Sequence, residues 1–273
     1  MTSNVIPDLS ARLAFAEELA KEAGKIALDY FNRREMLIVE TKGDLQDVVS
    51  VADREVELLI RRRFAETFPD DGVLGEEFGL NTGSSGFTWV IDPIDGTSPF
   101  VNGMPSWCVS IALLHDSQPV IGVISAPCNG ELYAAGLGLG ARLNGKKLVL
   151  DGSRTIRNAV TGIGANHHVK PADMAKTVER LLEEGGNFIR NGSGALMLAY
   201  VSAGRLVGYY EPYMHAWDCL AGYCLVSEAG GWFLPFPVDG DRLTKGAPVL
   251  AAAPGAVEDL MRIAGLSIRQ RMI

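Results

Sequence analysis

Residues 89–100 read WVIDPIDGTSPF: an apolar run that ends in two carboxylates three positions apart, divided by a proline and followed by Gly-Thr. The run has the character of a buried strand. Pro93 stiffens the turn between Asp92 and Asp95, so both carboxylates can face one site with the Ile94 carbonyl exposed beside them. Gly96 allows close approach to the backbone, and the Gly96–Thr97 amides can open a short helix whose N-terminus favours an anion. The stretch therefore predicts a strand that delivers oxygen ligands to a cation, and a turn that holds a phosphate.

The same pattern of carboxylates at the edge of apolar runs occurs elsewhere. VSVAD ends in Asp53, VLGEE carries Glu76 and Glu77, and HAWD ends in Asp218. Any one of these alone reads as a helix cap or a turn residue. Together they lack a matching set of buried basic partners, and carboxylates crowded into one place repel unless a cation joins them. Hard oxygen donors with no Cys or His among them point to Mg²⁺ or Mn²⁺ and away from zinc.

Working outward, residues 88–150 hold short β-rich runs separated by turn material (HDSQP, PCNG, GLGLG, NG), which predicts an antiparallel meander. GLGLGA lacks the spacing of a dinucleotide loop and leads into a hairpin, so it reads as turns. Before the meander, residues 9–31 carry Leu13, Ala16, Ala20, Ala23, Ala27 and Tyr30 at helical spacing, with Ser10 as the expected N-cap. A second helix is expected over about residues 52–68, ending before Pro69. After residue 150 strands and helices alternate, which predicts a mixed or parallel sheet covered by helices. A soft boundary near 150 divides an N-terminal α+β part (1–150) from a C-terminal α/β part (151–273), with no flexible linker and no internal repeat.

The 273 residues suffice for one large domain or two modest ones. A formal net charge of −8 offers no extended basic face for nucleic acid. The cluster Arg61-Arg62-Arg63 sits in a helical run and reads as a solvated face. No stretch reaches the roughly 18 apolar residues of a membrane span, and the first ten residues lack a signal pattern, so a cytoplasmic location is expected. Cys108, Cys128, Cys219 and Cys224 have no CxxC spacing and read as small core residues. His167-His168 read as an exposed loop pair, His215 as a loop histidine, and Met197 and Tyr200 as core or interface residues.

GEE at 75–77, DPIDGT at 92–97 and WDCLAG at 217–222 resemble the signature segments of the inositol monophosphatase family of Mg²⁺-dependent, lithium-sensitive phosphatases. The resemblance runs over nearly the whole chain, including Lys42 to Asp53, GLGLGARLNG and GSGALMLAYVSAGRLVGYYE. It implies an α/β fold, a five-layer αβαβα sandwich of the inositol monophosphatase / fructose-1,6-bisphosphatase type, usually in a homodimer. It also implies that Glu76, Asp92, Asp95, Asp218 and the Ile94 carbonyl hold two or three Mg²⁺ ions, with Mn²⁺ as a substitute and Li⁺ as an inhibitor. Asp53 and Thr97, with Glu76, would form the catalytic group that positions and deprotonates water. Gly96, Thr97, Gly192, Ser193, Gly194, Glu211 and Asp218 would meet the substrate, and Lys42 would lie near the site.

The chain departs from the family pattern after DPIDGT, where Ser98-Pro99-Phe100 replaces the usual Thr-Asn-Phe or Lys-Asn-Phe. GMPSW at 103–107 is similar to relatives that act on histidinol phosphate. The expected activity is a phosphomonoesterase acting on a small phosphorylated metabolite, inositol monophosphate first. Histidinol phosphate follows, ahead of fructose 1,6-bisphosphate and 3′-phosphoadenosine 5′-phosphate. A regulatory partner-binding protein is the expectation from another class.

Overall fold

Alanine and leucine at helical spacing let the first helix, α1 (Leu9–Asn32), lie close against a sheet: Leu13, Ala16, Leu19, Ala20, Ala23 and Ala27 are all buried. The computed structural model describes residues 6, 8–36, 39–41 and 48–266. The expected N-cap at Ser10 is corrected: α1 begins at Leu9, and Asp8 in the left-handed region precedes it without a side-chain cap. A two-stranded ribbon, β1 (Val39–Thr41) and β2 (Val48–Ser50), leads into α2 (Val51–Thr67). Ser50 caps α2, accepting from the Ala52 N–H at 3.2 Å.

Next come β3 (Gly72–Gly75), β4 (Gly79–Asn81), β5 (Phe87–Asp95), the short helix α3 (Thr97–Val101), β6 (Cys108–His115), β7 (Gln118–Ala126), β8 (Glu131–Gly136), β9 (Gly140–Leu143) and β10 (Lys146–Lys147). They form an eight-stranded sheet in the order β10-β9-β8-β7-β6-β5-β3-β4. From β5 to β10 every pairing is antiparallel, which is the expected meander, while β3 runs parallel to β5. Burial has period two: Trp89, Ile91, Val109, Ile111 and Leu113 belong to the outer core under α1 and α2, while Val90, Cys108, Ala112 and Leu114 face inward.

The second half supplies β11 (Val160–Ile163), α4 (Pro171–Glu183), β12 (Asn187–Ile189), α5 (Gly194–Ser202), β13 (Gly208–Met214), α6 (Ala216–Glu228), β14 (Trp232–Phe233), β15 (Ala247–Ala252) and α7 (Val257–Ile263). Its five-stranded sheet runs β12-β11-β13-β15-β14, with β11 parallel to both neighbours and β15 antiparallel to both of its own. Helices α5 and α6 pack on each other between the sheets, and α4 and α7 cover the far face of the smaller sheet, giving the layers αβαβα. Both helices between the sheets are apolar nearly all round, as burial on two sides requires. The inner core draws residues from both sides of residue 150.

The four cysteines are free, three buried and Cys128 half-buried. Arg61-Arg62-Arg63 is corrected in one member: Arg62 is exposed, but the Arg61 side chain is only 14% exposed and turns inward to a wholly buried Glu57. Among the described residues no helix is long and apolar enough to cross a membrane.

Candidate active site

In a regular strand residues three apart point to opposite faces, so Asp92 and Asp95 could not share a site. The register of β5 against β6 resolves this: Asp92 opposes Ser110 and Asp95 opposes Cys108, so β5 carries one extra residue in a bulge at Pro93-Ile94. Proline fits there because a bulged position has no ladder partner to lose. The Ile94 N–H turns back to Asp92 Oδ1 at 2.9 Å.

Gly96 then adopts φ +93°, and a Cβ at this position would sit 2.9 Å from the Ser106 carbonyl oxygen. The turn opens α3 with Thr97. Pro99 lies within the first turn of α3, where an N–H would have no partner inside the helix, so this departure leaves the helix intact. Pro99 is buried and packs towards Gly192, 2.7 Å from where a Cβ there would lie.

Three helix N-termini bring the remaining groups together. Asp95 Oδ2 accepts the Ala195 N–H at 2.7 Å and the Ser193 hydroxyl, and so caps α5 from outside. Asp53, in the first turn of α2, accepts the Ser50 N–H at 2.9 Å and its hydroxyl at 2.6 Å through Oδ2. Its Oδ1 lies 3.2 Å from Thr97 Oγ1, which also lies 3.1 Å from the Ile94 carbonyl oxygen. Asp218, in the first turn of α6, accepts the His215 N–H at 3.0 Å through Oδ2. In Asp92, Asp95 and Asp218 the backbone donors of Ile94, Ala195 and His215 each engage one carboxylate oxygen, Oδ1, Oδ2 and Oδ2 respectively.

Asp92, Asp95 and Asp218 each present a carboxylate oxygen within 4.8 Å of the others. Burial, then the charges of Glu76, Asp95, Asp218 and Asp53, pushes the Asp92 carboxyl well above its usual range. Burial, then Asp95 and Glu76, does the same to Asp218. Asp95 is also raised by burial, against the opposing pull of hydrogen bonds from Ser193 and the α5 backbone. The three oxygens are near enough to converge on one cation, and Mg²⁺ takes oxygen ligands of this kind. The donors are all hard oxygens. The residues fit the ion.

A cavity of about 410 Å³ opens over the cluster. Glu76, Gly96, Thr97, Gly192 and Gly194 line it. Ser193 is 1% exposed and turns its hydroxyl onto Asp95. Glu211, at the far wall, accepts from the Tyr209 hydroxyl through Oε2 and from Asn166 Nδ2 at 3.0 Å through Oε1. Burial pushes the Glu211 carboxyl up to about 7, against the lowering effect of the Tyr209 hydroxyl.

His167 reaches the cavity rim from an exposed loop and packs at a tilt against His168, and His215 lies flat on Trp217 with ring centres 4.6 Å apart. Met197 is buried and Tyr200 half-buried. Lys42 lies outside the described residues.

Sequence reasoning missed Asn166, Arg190, Tyr209 and Glu57. Asn166 also reaches the Tyr213 carbonyl oxygen at 2.6 Å, and Arg190 spans to the Ala165 carbonyl oxygen at 2.9 Å, so both fasten the rim of the cavity. The hydroxyl of Tyr209 was detectable in principle, since it lies two residues before Glu211 on the same face of a strand.

The family model described as the inositol monophosphatase family matches residues 8–266. Nus factor SuhB of Xylella fastidiosa is 38% identical over 232 residues, covering 84% of each chain. Inositol-1-monophosphatase of Rhizobium meliloti is 37% identical over 243 residues, 88% of this chain and 91% of that one. Among solved structures, the extragenic suppressor protein suhB from Bartonella henselae superposes with a TM-score of 0.85 at 31% identity, covering 94% of this chain and all of that one.

Proposed function

This chain belongs to the inositol monophosphatase family, and from that premise we propose that it is a Mg²⁺-dependent phosphomonoesterase whose first substrate is inositol monophosphate. The observation that carries the reading is the cluster of Asp92, Asp95 and Asp218, whose carboxylates the fold gathers within 4.8 Å of one another, with the pKa values of Asp92 and Asp218 raised by burial and by neighbouring acids. A protein does not keep such a set for stability.

Asp92, Asp95, Asp218 and Glu76, with the Ile94 carbonyl, would hold two or three Mg²⁺ ions, or Mn²⁺ in their place. When bound, the ions supply a lowered pKa for water and charge stabilisation for the leaving alkoxide. Thr97 Oγ1, hydrogen-bonded to Asp53 Oδ1, orients the attacking water, and the proton passes through the hydroxyl to the Asp53 carboxylate. Gly96 lets the phosphate come close to the backbone of the turn. Glu211, fixed by Tyr209 and Asn166, accepts hydrogen bonds from substrate hydroxyls. The protein works in this reading as a cytoplasmic homodimer.

The test is phosphate release from inositol 1-phosphate, histidinol phosphate, fructose 1,6-bisphosphate, 3′-phosphoadenosine 5′-phosphate and p-nitrophenyl phosphate, with Mg²⁺ and with added Li⁺. Mg²⁺-dependent, Li⁺-sensitive release with inositol 1-phosphate preferred supports the reading. Histidinol phosphate in first place would mean that Glu211 meets an ammonium group. No release from any ester would favour a partner-binding role, which draws on the name of the Xylella fastidiosa relative.

A further inference from the structure

We propose that Glu57 is a positioning residue for the metal site: from the middle of α2 it holds the turn that carries Glu76 in place for ligation. The proposal rests on the reading of Glu76 as a metal ligand given above.

Glu57 is wholly buried, which is rare for a glutamate. Its Oε2 accepts the Glu77 N–H at 2.8 Å, and its Oε1 accepts the Phe78 N–H at 3.2 Å and Arg61 Nε at 2.7 Å. One carboxylate thus takes both backbone donors that immediately follow Glu76. Arg61 completes the clamp by reaching the Gly79 carbonyl oxygen and, at 3.4 Å, Asn81 Oδ1. The turn is gripped on both sides, and both grips come from one face of α2, four residues apart.

The glycine before Glu76 follows from the same contact. A Cβ on Gly75 would lie 2.1 Å from Glu57 Oε1, so the end of β3 is pressed against the carboxylate as closely as backbone allows. In the segment Gly75-Glu76-Glu77, the glycine makes room for Glu57, the glutamate reaches the cavity, and the following amide is bound by Glu57. One turn earlier on α2, Asp53 contacts Thr97. The helix is therefore a single rigid bar between the hydroxyl that orients water and the turn that presents Glu76.

A purely structural clamp would change stability alone, whereas a positioning clamp changes the affinity of the site for its ion. The experiment is Mg²⁺ titration calorimetry on the purified full chain as wild type, Glu57→Gln, Arg61→Lys and Glu76→Gln, beside the Mg²⁺ dependence of phosphate release. Glu57→Gln keeps size but replaces one acceptor oxygen with a donor that faces a backbone N–H. It is expected to weaken Mg²⁺ binding about 10–100-fold, the usual effect of losing a group that orients a ligand. Its kcat at saturating Mg²⁺ should stay within a few-fold of wild type. Arg61→Lys, a milder change that keeps the charge and loses the fork, is expected to weaken binding several-fold in the same direction.

A Glu57→Gln protein with wild-type circular dichroism and wild-type Mg²⁺ affinity, beside a weakened Glu76→Gln, overturns this proposal alone. Unchanged affinity in Glu76→Gln overturns the ligand assignment and the proposal with it. Should Glu57→Gln fail to fold, Arg61→Lys decides: folded protein with wild-type Mg²⁺ affinity overturns the proposal.

Discussion

Asp71, whose side chain is 2% exposed, and the buried Asp92 lie at opposite ends of the β3–β5 region, and the fold treats them in opposite ways. Asp71 is neutralised within the chain. Arg12 of α1 pairs with it, Trp89 Nε1 donates at 2.9 Å and Ser85 Oγ at 2.7 Å, while Phe68 and Phe87 sandwich the guanidinium at 4.3 and 4.2 Å. Among the described residues Asp92 receives one backbone N–H and faces like charges from Glu76, Asp95, Asp218 and Asp53. A buried carboxylate that finds its cation inside the chain ties elements together. A cluster of acids whose described neighbours are mostly other acids is suited to a cationic ligand. Both arrangements are costly to bury, and Asp71 has its counter-charge in Arg12.

Asp92→Asn removes the charge by which Asp92 differs from its paired counterpart Asp71. The amide keeps the Oδ1 acceptor for the Ile94 N–H and removes the charge. Loss of a ligand worth several kcal/mol to the transition state should lower kcat by roughly a thousandfold or more. The metal-free protein should meanwhile become more stable. Burial and neighbouring acids raise the folded-state pKa of Asp92 above its unfolded value of about 3.9, so the folded state holds the proton more tightly. The associated stability is fully present below about pH 4 and is lost as pH rises through the folded pKa. Asp92→Asn should therefore flatten the fall in metal-free Tm as pH rises above about 4. A metal-free Tm below wild type at pH 8 would place Asp92 in the same class as Asp71.

Thr97→Ala tests the catalytic side of the cluster without touching its charge. Removing the hydroxyl that links the attacking water to Asp53 should cost about 10²–10⁴-fold in kcat. Mg²⁺ affinity measured by calorimetry should stay near wild type. A parallel loss of rate and affinity would mean that Thr97 serves to shape the Ile94 carbonyl, which it also contacts.

Asp71→Asn is the opposite experiment. It leaves Arg12 in its aromatic sandwich without a counter-charge, and removing one partner of a buried pair costs about 3–5 kcal/mol. The lower end is expected, because the Arg12 side chain keeps 12% exposure. Denaturant unfolding reads the loss, and kcat per folded molecule should not change. Reduced Mg²⁺ affinity in this variant would show that the two regions are coupled through β5, which carries both Trp89 and Asp92.

The two kinds of acid were not equally legible in the sequence. Asp92, Asp95 and Asp218 stand out because each interrupts an apolar run, and a proline between two aspartates is incompatible with an ordinary strand; the bulge in β5 is the structural form of that signal. The meander and the alternating second half followed from turn residues and hydrophobic period. Glu57 and Asp71 were hidden. Glu57 and Arg61 stand four apart in a charged helical run, the pattern of a solvated surface pair, and only the return of the chain after Gly75 buries them. The partner of Asp71 is 59 residues away, a distance at which local pattern says nothing. Short elements such as β4 and β14 carry too few residues for periodicity to register, and Ser10 lost its expected capping place because α1 starts at Leu9.

Glu211 lies between the two classes and gives the smallest and most selective effect. It is buried like Asp71 and, like Asp92, has its pKa raised, to about 7, yet its hydrogen-bond partners are the neutral Tyr209 and Asn166. As a carboxylate it accepts two local donors and still offers lone pairs to the cavity; as an acid it offers fewer. The kcat/KM for inositol 1-phosphate should therefore rise with pH through about 7, while that for p-nitrophenyl phosphate, which has no vicinal hydroxyls to read, should lack this rise. Glu211→Gln should remove the rise and cost about 1.5–3 kcal/mol on inositol 1-phosphate alone, the range for a hydrogen bond to a charged group. The same substitution should stabilise the metal-free protein at pH 8, since a group with a raised folded pKa loses its stabilising contribution as pH climbs past it. An equal loss of kcat/KM on both esters, with the pH dependence intact, would take Glu211 out of substrate recognition and place it with the carboxylates that only hold the fold together.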